Sequence, residues 1–577
     1  MDNSEFLDLI NNFRGVPFNQ EEIVQIIYIF EAWKILSDRE EIINNSLLFN
    51  KEENENIIEI FNKLASYYEI FKLFTNTIDI SKLEEKYIIL ILDTITQNIE
   101  LPKITHAMSL INGQKHIFIT SQIVDLSVRL LNKNLTEIYA PFTQGYNIAS
   151  YTNATIYSES SYRDDNFIVE VIKILEHKNI KFKCTNILEN PTYKENHTLK
   201  QFEYAISFPP FRVINKSMQF HYDKYNRFNI YRGEASLDVA HFEHILAQTT
   251  EKAIILTSVG FTFRGGVDEK FRKYLIDNNY LEAIIHLPPN LHSNTSIETI
   301  FFVVNKKKIN NNVYFLDLRD NTFTKKDGRK VILKDLDNIT SLYKECIEIE
   351  NISTLTTTEN IIENDYFFTV DRYIISQEIE QLTNIFSSSK LMKLETIAEL
   401  RKSQLFKNEE QGFNLYVVSP SDFVKAGYTL ESGKIKLINT QESKYETYKL
   451  LPNDILLSVK GSIGKVAIVG LVSQPMIASQ AIQVIRIKDE NIISPIYLYM
   501  FFKSDIGKLL LKQLVSGSTM PQISTKSIKE LKIPILPRPE YQHIIEKFHN
   551  EIKMVEKIYE LENSIHELHK DFFRGKK

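Results

Sequence analysis

Tyr204-Ala205-Ile206-Ser207-Phe208-Pro209-Pro210-Phe211 is the stretch on which the reading of this chain turns. The run Tyr204-Ala205-Ile206 has the composition of a buried strand, and two prolines that cannot extend a ladder close it. Five runs of the same kind surround it: Thr136-Glu137-Ile138-Tyr139-Ala140, Ala154-Thr155-Ile156-Tyr157, Ala253-Ile254-Ile255-Leu256-Thr257, Leu281-Glu282-Ala283-Ile284-Ile285 and Thr299-Ile300-Phe301-Phe302-Val303-Val304. Amphipathic stretches separate several of them, such as Asn166 to His177, with Val169, Ile172 and Leu175, and Val239 to Thr249. This alternation over residues 111–375 predicts an α/β core with a doubly wound sheet, whose ligands bind beyond the carboxyl ends of the strands.

Upstream, residues 1–110 predict a small helical domain. Ile23-Val24, Ile26-Ile27, Phe30 and Trp33-Lys34-Ile35 form an apolar stripe at helical spacing, and Glu85-Lys86-Tyr87-Ile88 to Leu92 continues it. Downstream, residues 305–390 read as polar and less regular. They end in Ser387-Ser388-Ser389, which places a linker at 376–390. Residues 391–540 form a new β-rich unit with turn signals at Asn453-Asp454 and Gly461-Ser462-Ile463-Gly464. Residues 541–577 predict one long helix in which Ile545, Phe548, Ile552, Val555, Ile558, Leu561, Ile565, Leu568 and Phe572 recur every three or four positions, a coiled-coil-like seam. A partner helix, or packing of this helix on its own domain, would satisfy such a seam.

With 577 residues the chain has room for three or four domains, and 43% hydrophobic with 25% charged residues is ordinary for a globular protein. No apolar run reaches the length of a membrane span, and the polar, acidic start Met1-Asp2-Asn3-Ser4-Glu5 predicts no signal peptide. Cys184 and Cys346 stand far apart without metal-ligand spacing, which predicts a reducing cytoplasm and neither a disulfide scaffold nor a cysteine zinc site. Charge is uneven. Residues 391–577 hold 27 Lys and Arg against 21 Asp and Glu, a net +6, and the rest hold 41 against 53, a net −12. A basic final third suits a polyanionic partner, and an ordinary solvated surface explains it as well.

Residues from about 115 to 375 resemble the modification subunit of type I restriction-modification systems, a family of adenine-specific DNA methyltransferases. Ser121-Gln122-Ile123-Val124-Asp125-Leu126 to Leu130-Leu131, then Gly233-Glu234 to His244-Ile245-Leu246, carry the resemblance. Phe263-Arg264-Gly265-Gly266, Phe271-Arg272-Lys273-Tyr274-Leu275, Ile284-Ile285-His286-Leu287-Pro288-Pro289-Asn290-Leu291 and Thr295-Ser296-Ile297 continue it in the family's order. The resemblance implies a Rossmann-like methyltransferase core that uses S-adenosylmethionine. It also implies an acidic residue for the ribose and a polar acceptor beside two prolines for the amino group of a flipped adenine.

At those positions this chain departs from the family. The family's Asp-Pro-x-x-Gly-x-Gly-Gly loop falls on Ala140-Pro141-Phe142-Thr143-Gln144-Gly145-Tyr146-Asn147, where Pro141 matches in register and Gly145 is one place displaced. Bulky Gln144 and Tyr146 would crowd a turn that needs close backbone approach. Glu159 matches the ribose-holding position after the second strand, with an ordinary loop carboxylate as its plain alternative, and the third acidic position falls on Asn186. The catalytic tetrad falls on Phe208, Pro209, Pro210 and Phe211, where Asn, Asp or Ser normally stands first. Phe208 has no acceptor for adenine's amino hydrogens. A register in which Ser207 supplies it is the alternative.

The last third resembles half of a type I specificity subunit, one target recognition domain (391–540) plus one spacer helix. Lys393-Leu394-Glu395-Thr396-Ile397-Ala398-Glu399-Leu400, Leu451-Pro452-Asn453-Asp454-Ile455-Leu456-Leu457-Ser458 and Lys460-Gly461-Ser462-Ile463-Gly464-Lys465 carry this, with Gly517-Ser518-Thr519-Met520-Pro521-Gln522-Ile523-Ser524 and Ile533-Pro534-Ile535-Leu536-Pro537 to Gln542. Candidate phosphate contacts are Lys460, Lys465 and Lys526 with the backbone of Gly461 and Gly517, or these lysines are solvated surface. The whole reads as a DNA-binding protein of a restriction-modification or phage-defence system with an eroded methyltransferase core. Its expected partners are duplex DNA, a second copy or related subunit through the helix, and a restriction or effector subunit. An active adenine-N6 methyltransferase with divergent motifs and an assembly scaffold are the rival readings.

Overall fold

The computed structural model describes residues 1–42, 44–51, 56–97, 100–111, 119–131, 135–142, 144–162, 165–211, 213, 223–234, 236–292, 295, 297–328, 330–374, 389–401, 403, 413–429, 434–438, 442–516 and 522–571. The chain forms two units, Met1–Ile374 and Ile375–Lys577.

In the first unit the aliphatic runs pair into one sheet of nine strands among the described residues. In chain order they are β1 (Glu137–Pro141), β2 (Thr155–Ser160), β3 (Ile180–Cys184), β4 (Phe202–Ser207), β5 (Thr249–Ser258), β6 (Leu281–His286), β7 (Thr299–Asn305) and β8 (Asn312–Asp317). A separate hairpin of β9 (Thr324–Asp327) and β10 (Lys330–Leu333) follows, then β11 (Ser353–Thr357) completes the sheet. The order across it is β11-β8-β6-β7-β5-β4-β1-β2-β3. Strands β3, β2, β1, β4 and β5 run parallel, and β7 lies antiparallel between β5 and β6. Strand β8 is parallel to β6, with β11 antiparallel at the edge.

All six expected strands are present, and the doubly wound α/β reading holds. The central strands were readable because helices cover both faces, so every position is apolar: Ala253, Ile254, Ile255 and Leu256 are all fully buried. Residues 305–374, read as irregular, instead hold β8, the β9–β10 hairpin, β11 and the helices Leu336–Glu345 and Thr358–Glu363. The apolar core of β8 is only Val313-Tyr314-Phe315-Leu316, set among Asn and Asp, and β11 is largely threonine. Residues 375–388, most of the expected linker, lie outside the described residues.

The N-terminal helices form a layer on one face of the sheet. The longest, Gln20–Asp38, starts in a capping box: Glu22 N–H donates to Asn19 Oδ1 at 3.0 Å, and Asn19 N–H to Glu22 Oε2 at 2.7 Å. Its Trp33 is fully buried, with Nε1–H donating to the Leu47 carbonyl at 2.8 Å. This layer shares one continuous core with Ile138, Ala140, Ile206 and Phe208 of the sheet. The other face packs the helices Asp238–Ala247 and Val267–Asp277 on Tyr139, Ala205 and Ile255.

The second unit holds a five-stranded sheet, Ala398–Arg401, Ile482–Ile487, Ile455–Ser458, Val466–Val469 and Tyr428–Thr429 in spatial order, beside a three-stranded one. An ion pair on the buried Asp454 carboxylate fixes the turn into Ile455–Ser458. Arg486 donates to both carboxylate oxygens of Asp454 at 2.7 Å, and Asp454 Oδ2 also accepts the Leu451 N–H at 2.8 Å. The final helix is Arg538–Asp571.

That helix corrects the reading of a single seam. Tyr541 and Phe548 are buried, and Ile544, Ile545 and Ile552 pack partly, all against the unit's own core. Met554, Ile558, Leu561, Ile565 and Leu568 are exposed, at 46–71%. At about 100° per residue the exposed stripe lies roughly 140° around the helix from the buried one. The first half is a packing helix and the second presents a different apolar face; Phe572 lies outside the described residues. Among the described residues, no helix is long and apolar enough to cross a membrane.

Candidate functional site

The strand order reverses between β1 and β4, and in open α/β sheets the ligand crevice opens there, beyond the carboxyl ends. Those ends are Pro141 and Ser207. Pairing does not stop at them. Phe142 and Phe208 form a further parallel bridge, and Ser207 Oγ donates to the Pro141 carbonyl at 2.9 Å. Ser207 is fully buried and its hydroxyl is spent on that carbonyl, which disfavours the register in which it replaces the missing polar residue. Phe142 takes a left-handed backbone, φ +72°, unusual for a bulky residue, and its ring stands 4.7 Å from His241 and 5.7 Å from His244. Phe208 packs into the core of the opposite face.

The turn after β1 is filled by its own side chains. Gln144, also left-handed at φ +58°, is buried, and its Oε1 accepts the Ile119 N–H at 3.0 Å. Tyr146 is buried and donates to Asp165 Oδ1 at 2.9 Å; Asp165 Oδ2 accepts from Ser160 Oγ at 2.6 Å. Gly145 serves this packing: a Cβ there would lie 2.1 Å from the Ala140 carbonyl oxygen. Glycine is kept for a close approach of the chain to itself.

Glu159 sits within β2, one residue before its end, and is fully buried. It is neither a loop residue nor exposed. Its Oε2 accepts the Thr192 N–H at 2.7 Å, and Oε1 lies 2.9 Å from the Tyr139 hydroxyl. That hydroxyl is also 3.0 Å from Gln248 Oε1 and 2.7 Å from His244 Nε2. Arg227 can only donate, so its Nη1, 2.9 Å from His244 Nδ1, assigns the imidazole proton to Nε2, which then donates to Tyr139. Burial holds His244 well below the usual histidine range, with Arg227 adding to the effect, so the ring is neutral. One phenolic proton cannot serve both Glu159 and Gln248. The count closes when Glu159 carries a proton of its own, and burial raises its pKa in that direction. Arg227 further donates to the Ile187 and Leu188 carbonyls and pairs with Asp223 at 2.7 Å.

Asn186 is exposed and starts a turn, its carbonyl accepting the Asn190 N–H at 2.7 Å. Pro209 is buried, and Pro210 and Phe211 are half-buried. The Phe211 ring meets His292 edge-on at 6.3 Å, which joins the tetrad to the loop between β6 and β7. The structure thus brings Pro141, Gly145, Glu159 and the tetrad to one sheet edge. Sequence reasoning missed Tyr139, His244, Arg227 and Gln248, which occupy Glu159, and Phe142, which meets Phe208. A hydroxyl between the apolar Ile138 and Ala140 of the strand, at Tyr139, was the available signal. Among the described residues, no three His, Cys, Asp or Glu gather as a metal site.

In the second unit the loop between Ile455–Ser458 and Val466–Val469 is closed by Ser458 N–H to the Lys465 carbonyl at 2.9 Å and Gly464 N–H to the Ser458 carbonyl at 3.0 Å. Gly461 sits at its tip with φ +71°. Lys460 bridges Gln522, and Ile523 N–H donates to the Val459 carbonyl at 3.0 Å. Ser524 then caps the helix Thr525–Glu530, which carries Lys526. Lys460, Lys465 and Lys526 are exposed. Gly517 lies outside the described residues.

A doubly wound nine-stranded domain with its crevice between β1 and β4, followed by a β-rich unit ending in a long helix, defines the class. Residues 166–382 match the N-6 DNA Methylase family, and residues 387–566 match the Type I restriction modification DNA specificity domain. The chain thus carries a methylase domain and a specificity domain fused in one polypeptide. Over 146 residues it is 31% identical to the type I restriction enzyme MpnII methylase subunit of Mycoplasma pneumoniae, 25% of this chain and 27% of that protein. Over 162 residues it is 28% identical to the type I restriction enzyme EcoBI specificity subunit of Escherichia coli, 26% of this chain and 32% of that protein. The chain therefore spans about a quarter to a third of the length of the curated relatives it matches. The methyltransferase subunit of a type I restriction-modification system from Streptococcus thermophilus shares the fold. Its TM-score is 0.54 at 17% identity, covering 65% of this chain and 98% of that one.

Proposed function

We propose that this chain is a cytoplasmic, sequence-specific DNA-binding component of a type I-like restriction-modification or phage-defence system, with a methyltransferase core that no longer transfers methyl groups. The observation that carries this reading is the Phe142–Phe208 bridge, with Ser207 Oγ on the Pro141 carbonyl, at the point where the crevice should open. S-adenosylmethionine is the methyl donor that the family implies, and the described crevice residues do not fit it. Glu159 has spent both carboxyl oxygens inside the protein, and Gln144 and Tyr146 occupy the turn. The position that should hold adenine's amino group carries Phe208, which has no acceptor and whose ring is packed into the core. Losing one polar contact in a site built for it costs roughly 3–4 kcal/mol, or about 10²–10³ in rate, and here acceptor and cofactor turn are both altered.

The recognition unit keeps its framework. The loop at Lys460-Gly461, the strand at Gln522-Ile523 and the helix bearing Lys526 meet at one end, a basic cluster suited to phosphates. The exposed stripe Met554, Ile558, Leu561, Ile565 and Leu568 supports pairing with a second copy or a related subunit, which would set two recognition units at a fixed spacing on a two-part site. The test is duplex binding by fluorescence anisotropy at low salt. The reading expects binding that weakens on Lys460→Ala with Lys465→Ala and Lys526→Ala. No duplex binding at low salt would sink it.

A further inference from the structure

The β9–β10 hairpin belongs to neither the crevice nor the recognition unit. It follows the carboxyl end of β8, so it stands on the same sheet edge as Phe208-Pro209-Pro210-Phe211. Two neighbours hold it there. Val331 N–H donates to the Asn290 carbonyl at 3.1 Å, in the loop whose His292 meets Phe211. On its other flank Gln122 grips the Leu333 backbone twice, Nε2–H to the carbonyl and Oε1 from the N–H, each at 2.9 Å. Phe323 and Leu333 are buried beneath it.

What it presents outward is positive charge. Residues 323–334 hold five Lys or Arg and one Asp, in a part of the chain that is otherwise acidic. Lys325, Lys326, Lys330 and Lys334 are all exposed. None of the four forms an ion pair among the described residues, and Lys334 Nζ donates to the Asn321 carbonyl at 3.0 Å. Of the acids flanking the hairpin, Asp320 bonds Thr322, Asp335 caps the helix Leu336–Glu345 and Asp337 pairs with Arg129; within it Asp327 stands opposite Lys330 in the strand register. A solvated basic surface needs no anchoring, yet this one is fixed on both flanks at the carboxyl side of the sheet.

We propose that this hairpin is a second contact for the phosphate backbone of duplex DNA, independent of sequence and carried by the first unit. The proposal rests on the DNA-binding reading above. Lysines on phosphates position a duplex and carry no base information, so the hairpin adds affinity equally to all sequences.

The experiment uses the full chain and two duplexes of unrelated sequence, in fluorescence anisotropy across a salt series. In one variant Lys325, Lys326, Lys330 and Lys334 are all changed to Gln, and in a second they are all changed to Arg. Each phosphate contact adds about 0.9 to the slope of log affinity against log salt. The Gln variant should therefore lose roughly 2–4 from that slope, weaken on both duplexes by the same factor, and unfold like the wild type by Trp33 fluorescence; the Arg variant should bind as the wild type does. A Gln variant with unchanged slope on a protein that still binds DNA overturns the hairpin contact and leaves the DNA-binding reading standing. Weakening on one duplex only, or a failure of Arg to preserve binding, also overturns the hairpin contact. A wild type that binds neither duplex overturns both.

Discussion

Glu159→Ala should destabilise the first unit by about 3–5 kcal/mol, whereas Glu159→Gln should cost less than about 1 kcal/mol. The fully buried carboxyl accepts the Thr192 N–H at 2.7 Å and meets the Tyr139 hydroxyl at 2.9 Å. Alanine leaves the Thr192 N–H unsatisfied and disturbs Tyr139. Each lost partner costs about 1–3 kcal/mol, and the emptied volume adds further. Glutamine reproduces both bonds, its oxygen accepting from Thr192 and its amide donating to Tyr139. Chemical denaturation followed by Trp33 suits the measurement, because this sole tryptophan is buried in the same unit. The pH dependence has a defined sign. Burial raises the Glu159 pKa, so the protonated form is favoured on folding. The resulting stabilisation is complete below the unfolded value of about 4.3 and is lost as pH rises through the raised folded value. Glu159→Gln should remove that slope. If Glu159→Ala unfolded at the wild-type midpoint, the buried network would not hold Glu159, and the reasoning would fail.

Gly145→Ala should destabilise the same unit by about 1–3 kcal/mol or more, read in the same denaturation, since its Cβ would lie 2.1 Å from the Ala140 oxygen; an unchanged midpoint would show that the turn can open. Ile565→Asp with Leu561→Asp should convert any oligomer to monomer in sedimentation without lowering stability, because both side chains are more than half exposed; a wild-type monomer would refute the stripe's role. Ile552→Asp should instead destabilise the second unit, since Ile552 packs against Gly427; equal stability in thermal unfolding would contradict the division of the helix into two halves.

Most of the sheet was readable because strands covered on both faces are apolar at every position. Strand β3 escaped because it lies at the edge: Ile180 is buried while Lys181, Lys183 and Cys184 are exposed. The two stripes of the last helix were read as one, since both obey spacings of three and four. Only their different directions around the helix, visible once packing is known, separate them. At the crevice, Phe208 was legible as an absent acceptor. Its partner Phe142 was not, because the bridge joins residues brought together only by strand order. Glu159 looked like a surviving cofactor residue for the same reason. Tyr139 lies 20 residues from it, and His244 a further 105 from Tyr139, so nothing local shows that the carboxyl is already occupied.

The central claim, that the chain has kept the means to find DNA and lost the means to methylate it, is tested most directly by calorimetric titration of the full chain with S-adenosylmethionine, alone and with duplex DNA present. The account predicts no saturable heat from S-adenosylmethionine in either case. Saturable one-to-one binding that disappears in Glu159→Gln, a variant that folds like the wild type, would contradict it.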